Sequence, residues 1–383
     1  MKNRQNNWQK IKLGDAAGEV RNLYNPSPGE HLKYIGLEHI KQNTLRLSSI
    51  GDSADTQSAK KFFSTNDVLF GSLRAYFRKV VKPKFNGVCS TDITVLRSKN
   101  GNDQNFLYYF IANPHFIDFA AASAEGTRMP RVSWKFLSKT QWNFPPSADQ
   151  KRISDILSAF DDKIELNNKI SKNLEQTAQA IFKEWFGKSE KLKAKSEKLF
   201  KLGKIICGKT PSKSNLKYFG GEIPFIKIPD MHNQMFILKT EDSLTEVGAD
   251  SQKNKFIPRN SICVSCIATV GLVSITTKDS QTNQQINTII PKSESYLEFL
   301  YLALKTIKND LMLIGSGGST TLNINTSIFS NIEILVPEEE VIDKFHKLAN
   351  PMFNKILQIN KENQELVALR DLLLPKLMRG EIV

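Results

Sequence analysis

Residues 66–73 read NDVLFGSL and residues 260–267 read NSICVSCI. Each opens on asparagine and a short polar residue, runs through apolar positions and closes on an aliphatic one. The match continues in both directions. KLG at 12–14 returns as KLG at 201–203, and YIGLEHI (34–40) resembles FIKIPDM (225–231). Further on, CSTDITVLR (89–97) lines up with NQQINTIIP (283–291), FLYY (106–109) with FLYL (299–302) and GTRMPRVS (126–133) with GSTTLNIN (318–325). Pro145 then meets Pro337. The offset is 189 residues from Leu13 to Leu202, 194 from Asn66 to Asn260 and 192 at the end. So small a drift means one unit written twice, with small changes of loop length.

Within each copy, short alternating segments such as DITVL and INTIIP stand between turn residues, the pattern of a sheet-containing domain. Each copy then closes on an apolar seam with steps of four and three. The first carries Ile153, Leu157, Phe160, Ile164, Asn167, Ser171, Leu174, Ala178, Ile181 and Trp185. The second carries Met352, Ile356, Ile359, Asn363, Leu366, Arg370, Leu373 and Leu377. A stripe of this kind needs a partner helix, and the nearest is that of the other copy. Asn167 and Asn363 either fix the register of such a pair or face solvent. Pro351 is expected to kink the second helix or delay its start. The expected class is α+β, a pseudo-twofold internal repeat with two similar heads, 1–145 and 196–337. Two long antiparallel coiled-coil helices separate them, one in 146–195 with its linker and one in 338–383.

The chain has 383 residues and a formal net charge of +14, which draws a protein toward polyanions, nucleic acid first among them. MKNRQNNWQKIKLG at the start has no apolar core and does not read as a signal peptide. The most apolar long stretch, 106–124, is interrupted by Asn113, Pro114, His115 and Asp118 and cannot span a bilayer. Four cysteines then suggest reduced thiols, and the expected location is cytoplasmic, away from membranes.

Several short motifs suggest chemistry. GKIICGKT (203–210) matches the phosphate-cradling pattern G-x-x-x-x-G-K-[ST] in full. A working loop of that type lies between a buried strand and a helix N-terminus. Here KSEKLKAKSEKLFKL precedes it, charged and helical in pattern, and Pro211, Ser212 and Lys213 start no helix. The match is read as coincidence, with Lys209 and Lys213 left as possible contacts to DNA phosphates. CVSC (263–266) lacks two further ligands nearby, and positions three apart on a strand point to opposite faces. IGSGGST (314–320) lacks G-x-G-x-x-G spacing. FPPS (144–147) is wrong at both ends for an adenine-methyltransferase motif, and the Pro-Asp at 229–230 has no nuclease-type partner downstream. No catalytic residue, metal site or cofactor site is assigned.

Nucleic-acid contacts are easier to place. Residues 1–145 hold 21 Lys and Arg against 11 Asp and Glu, a net of +10. SLRAYFRKVVKPK (72–84) interleaves Arg74, Arg78, Lys79, Lys82 and Lys84 with Tyr76 and Phe77, and Arg128 and Arg131 follow on a later segment. Such cations suit phosphate contacts, and arginine also reads guanine. Matching places in the second copy hold Gln284, Gln285, Asn287, Thr320, Thr321, Asn323 and Asn325, and side-chain amides pair with adenine. Two heads with different polar loops would read two different short sequences.

With these residues in view, the chain resembles the specificity subunits of type I restriction–modification systems over essentially its whole length. The resemblance rests on KLG opening both heads, CSTD (89–92), TNQQIN (282–287), FKEWF (182–186) and above all LRDLLLPKLMRGEI (369–382). Arg379 departs from it, standing where a small residue is expected before GEI. The resemblance implies that each head reads one half of a split site in double-stranded DNA. It implies helices that set the gap and dock two modification subunits, which bind S-adenosylmethionine and methylate adenine. A separate restriction subunit would supply ATP- and Mg-dependent translocation and cleavage. KSEKL occurs twice seven residues apart (188–192 and 195–199); if helical, each unit adds about 10 Å and could tune that gap, although a charged solvated linker accounts for it equally. The competing readings are a coiled-coil DNA-binding scaffold or regulator without methyltransferase partners, and a self-contained DNA methyltransferase or nuclease.

Overall fold

A computed structural model describes residues 7–25, 27, 29–187, 194–316 and 322–382. The chain divides into two compact units, Met1–Ile164 with Glu365–Val383, and Glu165–Gln364. The division falls within both long helices, so each unit holds one head and a portion of each helix.

In the first unit a four-stranded antiparallel sheet runs in the order Val80–Val81, Val68–Gly71, Ile93–Ser98, Ala17–Glu19. Alternation along the strand places Val68 and Phe70 in one core and Leu69 in another. The first core is completed by Gln104–Ala112 and Pro114–Ala122, helices bearing Phe106, Tyr109, Phe110 and Phe116. A five-stranded sheet closes the second, with Gly87–Ser90 parallel to Lys33–Ile35.

The second unit repeats this plan. Val273–Thr276, Ile262–Ser265, Ile286–Pro291 and Gly203–Cys207 follow the same order, with Phe236–Ile237 added at the edge. Gln281–Thr282 runs parallel to Phe219–Ile226, as Gly87–Ser90 does to Lys33–Ile35. Asn66 and Asn260, with φ of 67° and 63°, make the same left-handed turn before the matched strands, a conformation asparagine tolerates better than most residues. One alignment made from sequence shifts. Ile93 lies opposite Gly71 and Ile286 opposite Ser265, so these strands match at an offset of 193, one less than CSTDITVLR on NQQINTIIP requires.

In each head a two-stranded ribbon, Gln9–Lys12 with Gln141–Phe144 or Lys195–Lys198 with Glu333–Val336, leads into the long helix. The second KSEKL copy is thus a strand and not helical, because its backbone pairs with Glu333–Val336; the first lies outside the described residues. The helices are Ser147–Phe186 and Glu339–Met378, 40 residues each. Gln150, buried, ties the first to its head by donating to Asn102 Oδ1 at 2.8 Å and to the Pro145 carbonyl at 3.0 Å.

Portions of the two helices pack side by side and antiparallel within each unit. In unit 2, Asn167 meets Asn363, and Phe182 meets Phe345 at 5.8 Å between ring centroids. In unit 1, Asp161 meets Arg370. Ile153, Leu157, Ile164, Ile356 and Ile359 are buried, while Phe160, Leu174, Met352, Leu366 and Leu373 are half-buried at the margin. The second helix's buried line is Ile342, Phe345, Ala349, Phe353, Ile356, Ile359, Asn363, Arg370, Leu374 and Leu377. Pro351 therefore does not delay the helix, which begins twelve residues earlier; the proline lies on the exposed face, where losing one backbone hydrogen bond leaves the buried packing intact.

Candidate nucleic-acid interface

Each head builds one backbone device where a sheet strand ends. After Val68–Gly71, the Ser72 amide donates to the Asp92 carbonyl at 2.9 Å, and the Ser72 carbonyl accepts from Val132 at 3.0 Å. The next residues cross a second loop: Leu73 bridges Arg131, and the Arg74 amide donates to the Pro130 carbonyl at 2.8 Å. Arg74 has φ of 53°, a left-handed conformation that costs a non-glycine residue roughly 1–2 kcal/mol. The crossing over-determines it, as strained backbone at working sites requires. In the second head the Cys266 amide donates to Gln285 at 2.8 Å, and the Cys266 carbonyl accepts from Ile324 at 2.8 Å. Ile267 bridges Asn323, and Ala268, with φ of 62°, donates to Leu322 at 3.0 Å. The main-chain geometry is the same; the side chains differ.

In the first head Arg74, Arg128 and Arg131 gather at this crossing and are exposed, while Tyr76, 52% exposed, lines a separate surface pocket with Asn43, Arg78 and Arg370. A 3-10 turn, Ala75–Phe77, is pinned by buried Ala75 and flanked by the left-handed Arg74 and Arg78. Arg74 Nη2 donates to the Arg128 carbonyl at 3.3 Å, and Arg131 Nε to Asp92 Oδ1 at 2.9 Å. The remaining cations of 72–84 go elsewhere. Arg78 pairs with Asp118 at 3.0 Å and Lys84 with Asp162 at 3.3 Å. Lys79 Nζ turns inward to the Leu37 carbonyl at 2.6 Å, and Lys82 donates to Asn105 beside the Tyr108 ring. Burial lowers the pKa of both lysines. Their ammonium groups are spent inside the fold, a destination that charge interleaving does not reveal.

In the second head Gln284 and Asn323 are exposed, with Gln284 Oε1 accepting from Thr210 Oγ1 at 2.7 Å. Gln285 is half-buried, its Oε1 accepting from Asn283 Nδ2 at 2.9 Å. Asn287 is buried and spans the Ile324 carbonyl and the Thr326 hydroxyl. Asn325 caps the helix Thr326–Ser330 by accepting from the Ile328 amide at 2.9 Å, so its oxygen has a folding role. Thr320 and Thr321 lie outside the described residues. Lys209 and Lys213 are exposed beyond the strand Gly203–Cys207. Sequence reasoning missed Asp92 as a partner of Arg131; its place after a turn, with Arg131 39 positions on, gave no local signal.

The phosphate-loop pattern has a structural origin. The segment before it is the strand Lys195–Lys198 and a 3-10 turn, not a helix, and GKIIC is itself a strand. No helix N-terminus follows; the next element is the 3-10 turn Leu216–Tyr218. A Cβ on Gly208 would lie 2.2 Å from the Asn283 carbonyl oxygen, so glycine is needed for chain crossing. Cys263 and Cys266 fall in different cores, on opposite sides of their strand, and burial pushes their thiols up to about 12 and about 11. Among the described residues no helix is long and apolar enough to cross a membrane.

A model of the type I restriction modification DNA specificity domain matches this chain twice, over residues 5–176 and 194–366. The type I restriction enzyme HindI specificity subunit of Haemophilus influenzae is 36% identical, with 98% of this chain and 99% of that protein covered. The MjaIX specificity subunit of Methanocaldococcus jannaschii is 25% identical over 74% of this chain and 70% of its own. A solved type I restriction-modification S subunit from M. genitalium shares the fold, with a TM-score of 0.61 at 16% identity, covering 98% of this chain and 97% of that one.

Proposed function

The chain belongs to the type I restriction modification DNA specificity family, and from that premise we propose that each head reads one half of a split site in double-stranded DNA. The supporting observation is the repeated loop crossing, which carries arginines in one head and amides in the other. Equal scaffolds with unequal polar groups suit two different short sequences separated by an unread gap. The chain directs, and performs no covalent step itself. Modification subunits supply S-adenosylmethionine and methyl transfer, restriction subunits supply ATP- and Mg-dependent work, and the complex acts in the cytoplasm.

Sequencing that detects modified bases, on DNA from cells expressing this chain with its modification subunit, tests this reading. A motif of two short specific halves around a fixed gap is the expected result. Partner binding without any motif would refute the assignment of the heads.

A further inference from the structure

We infer that Arg131 and Asn323 are the equivalent base-reading positions of the two heads, Arg131 for a guanine and Asn323 for an adenine. The inference rests on the DNA-reading function proposed above and names the residues behind it. The two positions are equivalent by geometry. Arg131 bridges Leu73 and Asn323 bridges Ile267, each directly before the left-handed residue of its crossing. The following residues, Val132 and Ile324, are buried and donate to the matched carbonyls of Ser72 and Cys266. Neighbours along an extended segment point to opposite sides, so this burial turns Arg131 and Asn323 outward, and both are exposed.

The chemistry then differs in a defined way. Arg131 gives its Nε hydrogen to Asp92 Oδ1 at 2.9 Å, which leaves the two terminal amines as an outward fork. A fork held by a carboxylate loses little freedom on binding, and its spacing fits O6 and N7 of guanine. The backbone place of Asp92 is taken in the second head by Gln285, whose Oε1 is occupied by Asn283. The Asn323 side chain makes no hydrogen bond to any described residue, so it keeps the donor and acceptor that pair with N6 and N7 of adenine. Arg74 and Arg128 have no carboxylate partner among the described residues, and they serve as phosphate contacts beside the reader.

The test uses the full chain with its modification subunits and reads the methylated motif by sequencing. Arg131→Asn and Arg131→Lys are both expected to relax one G·C position in one half, lowering discrimination there by roughly 10- to 100-fold. Asp92→Asn relaxes the same position less. Asn323→Ala relaxes one A·T position in the other half only. A motif unchanged in Arg131→Lys would make Arg131 a phosphate contact and overturn the inference, as would changes spread over both halves. Where a variant gives too little methylation to read, competition binding on DNAs differing at that one position measures the same ratio. If the unsubstituted complex yields no split motif, the function itself is refuted; if it yields one that the variants leave intact, only this assignment is.

Discussion

Asn167 donates its side-chain amide to Asn363 Oδ1 at 2.9 Å, and the two residues are 1% and 8% exposed between the paired helices of unit 2. Asn167 also donates to Glu362 Oε2 at 3.0 Å, and Asn363 to Asn168 Oδ1 at 3.0 Å. Sliding either helix by a turn would press these amides against aliphatic side chains, so the pair fixes the register at some cost in stability.

Replacing Asn167 by Leu alone strands the buried Asn363 oxygen and should cost about 1–3 kcal/mol. Asn167→Leu combined with Asn363→Leu should recover most of that loss. Thermal denaturation of the four chains of this cycle gives the coupling; strictly additive losses would show that the two amides act independently.

Arg370 is 1% exposed, with Nη1 on Asp161 and Nη2 on Asp371, while Tyr109 donates to the other Asp161 oxygen at 2.6 Å. Burial pulls the guanidinium pKa down, but the two carboxylates outweigh it and raise the pKa above its usual value. Arg370→Met leaves Asp161 beside an apolar seam and should destabilise unit 1 by about 3–5 kcal/mol. Urea denaturation followed by circular dichroism measures this, and a loss under 1 kcal/mol would contradict it.

Cys89, Cys263 and Cys266 are buried, and burial raises their thiols to about 12, about 12 and about 11. A raised pKa keeps the reactive thiolate scarce at pH 8. Alkylation of the native chain at that pH should label Cys207 first, as it is the partly exposed thiol, with all four labelled in denaturant. Peptide mass spectrometry reads the order.

The left-handed positions separate stability from binding. Ala268→Gly removes the Cβ penalty and should stabilise the second head by up to about 1 kcal/mol. Arg74→Gly relieves the backbone equally but removes a cation, so DNA affinity should fall while stability does not. The slope of log affinity against log salt should shrink by about one.

Asn325→Ala should cost about 1 kcal/mol through its helix cap and leave the methylated motif unchanged. A changed motif would give Asn325 a second role in reading.

The repeat was legible because Asn66 and Asn260 make the same turn before strands of the same burial. The register slip at 283–291 came from apolar runs that accept either phase, and hydrogen bonding chose between them. Phe345 escaped the seam because Pro351 suggested a delayed start, yet a proline on the wet face leaves the buried line intact. Phe353 and Leu374, beyond it, were missed because the seam was phased one residue early, on Met352 and Leu373. At the interface the residue types were legible and their directions were not. Lys79 finds Leu37 and Arg131 finds Asp92 across 42 and 39 positions of chain, contacts that only the folded backbone brings together.

Matching main-chain hydrogen bonds frame the loop crossing in both heads, and it tolerates arginine at one left-handed position and alanine at the other. The exposed residues it presents therefore carry little of the folding free energy. Substitutions at Arg128 or Asn323 should cost little stability, and at Arg131 little more than its exposed ion pair with Asp92. If these residues read DNA as proposed, a lineage can try new target sequences without passing through unfolded intermediates. Evolvability is here a property of the backbone.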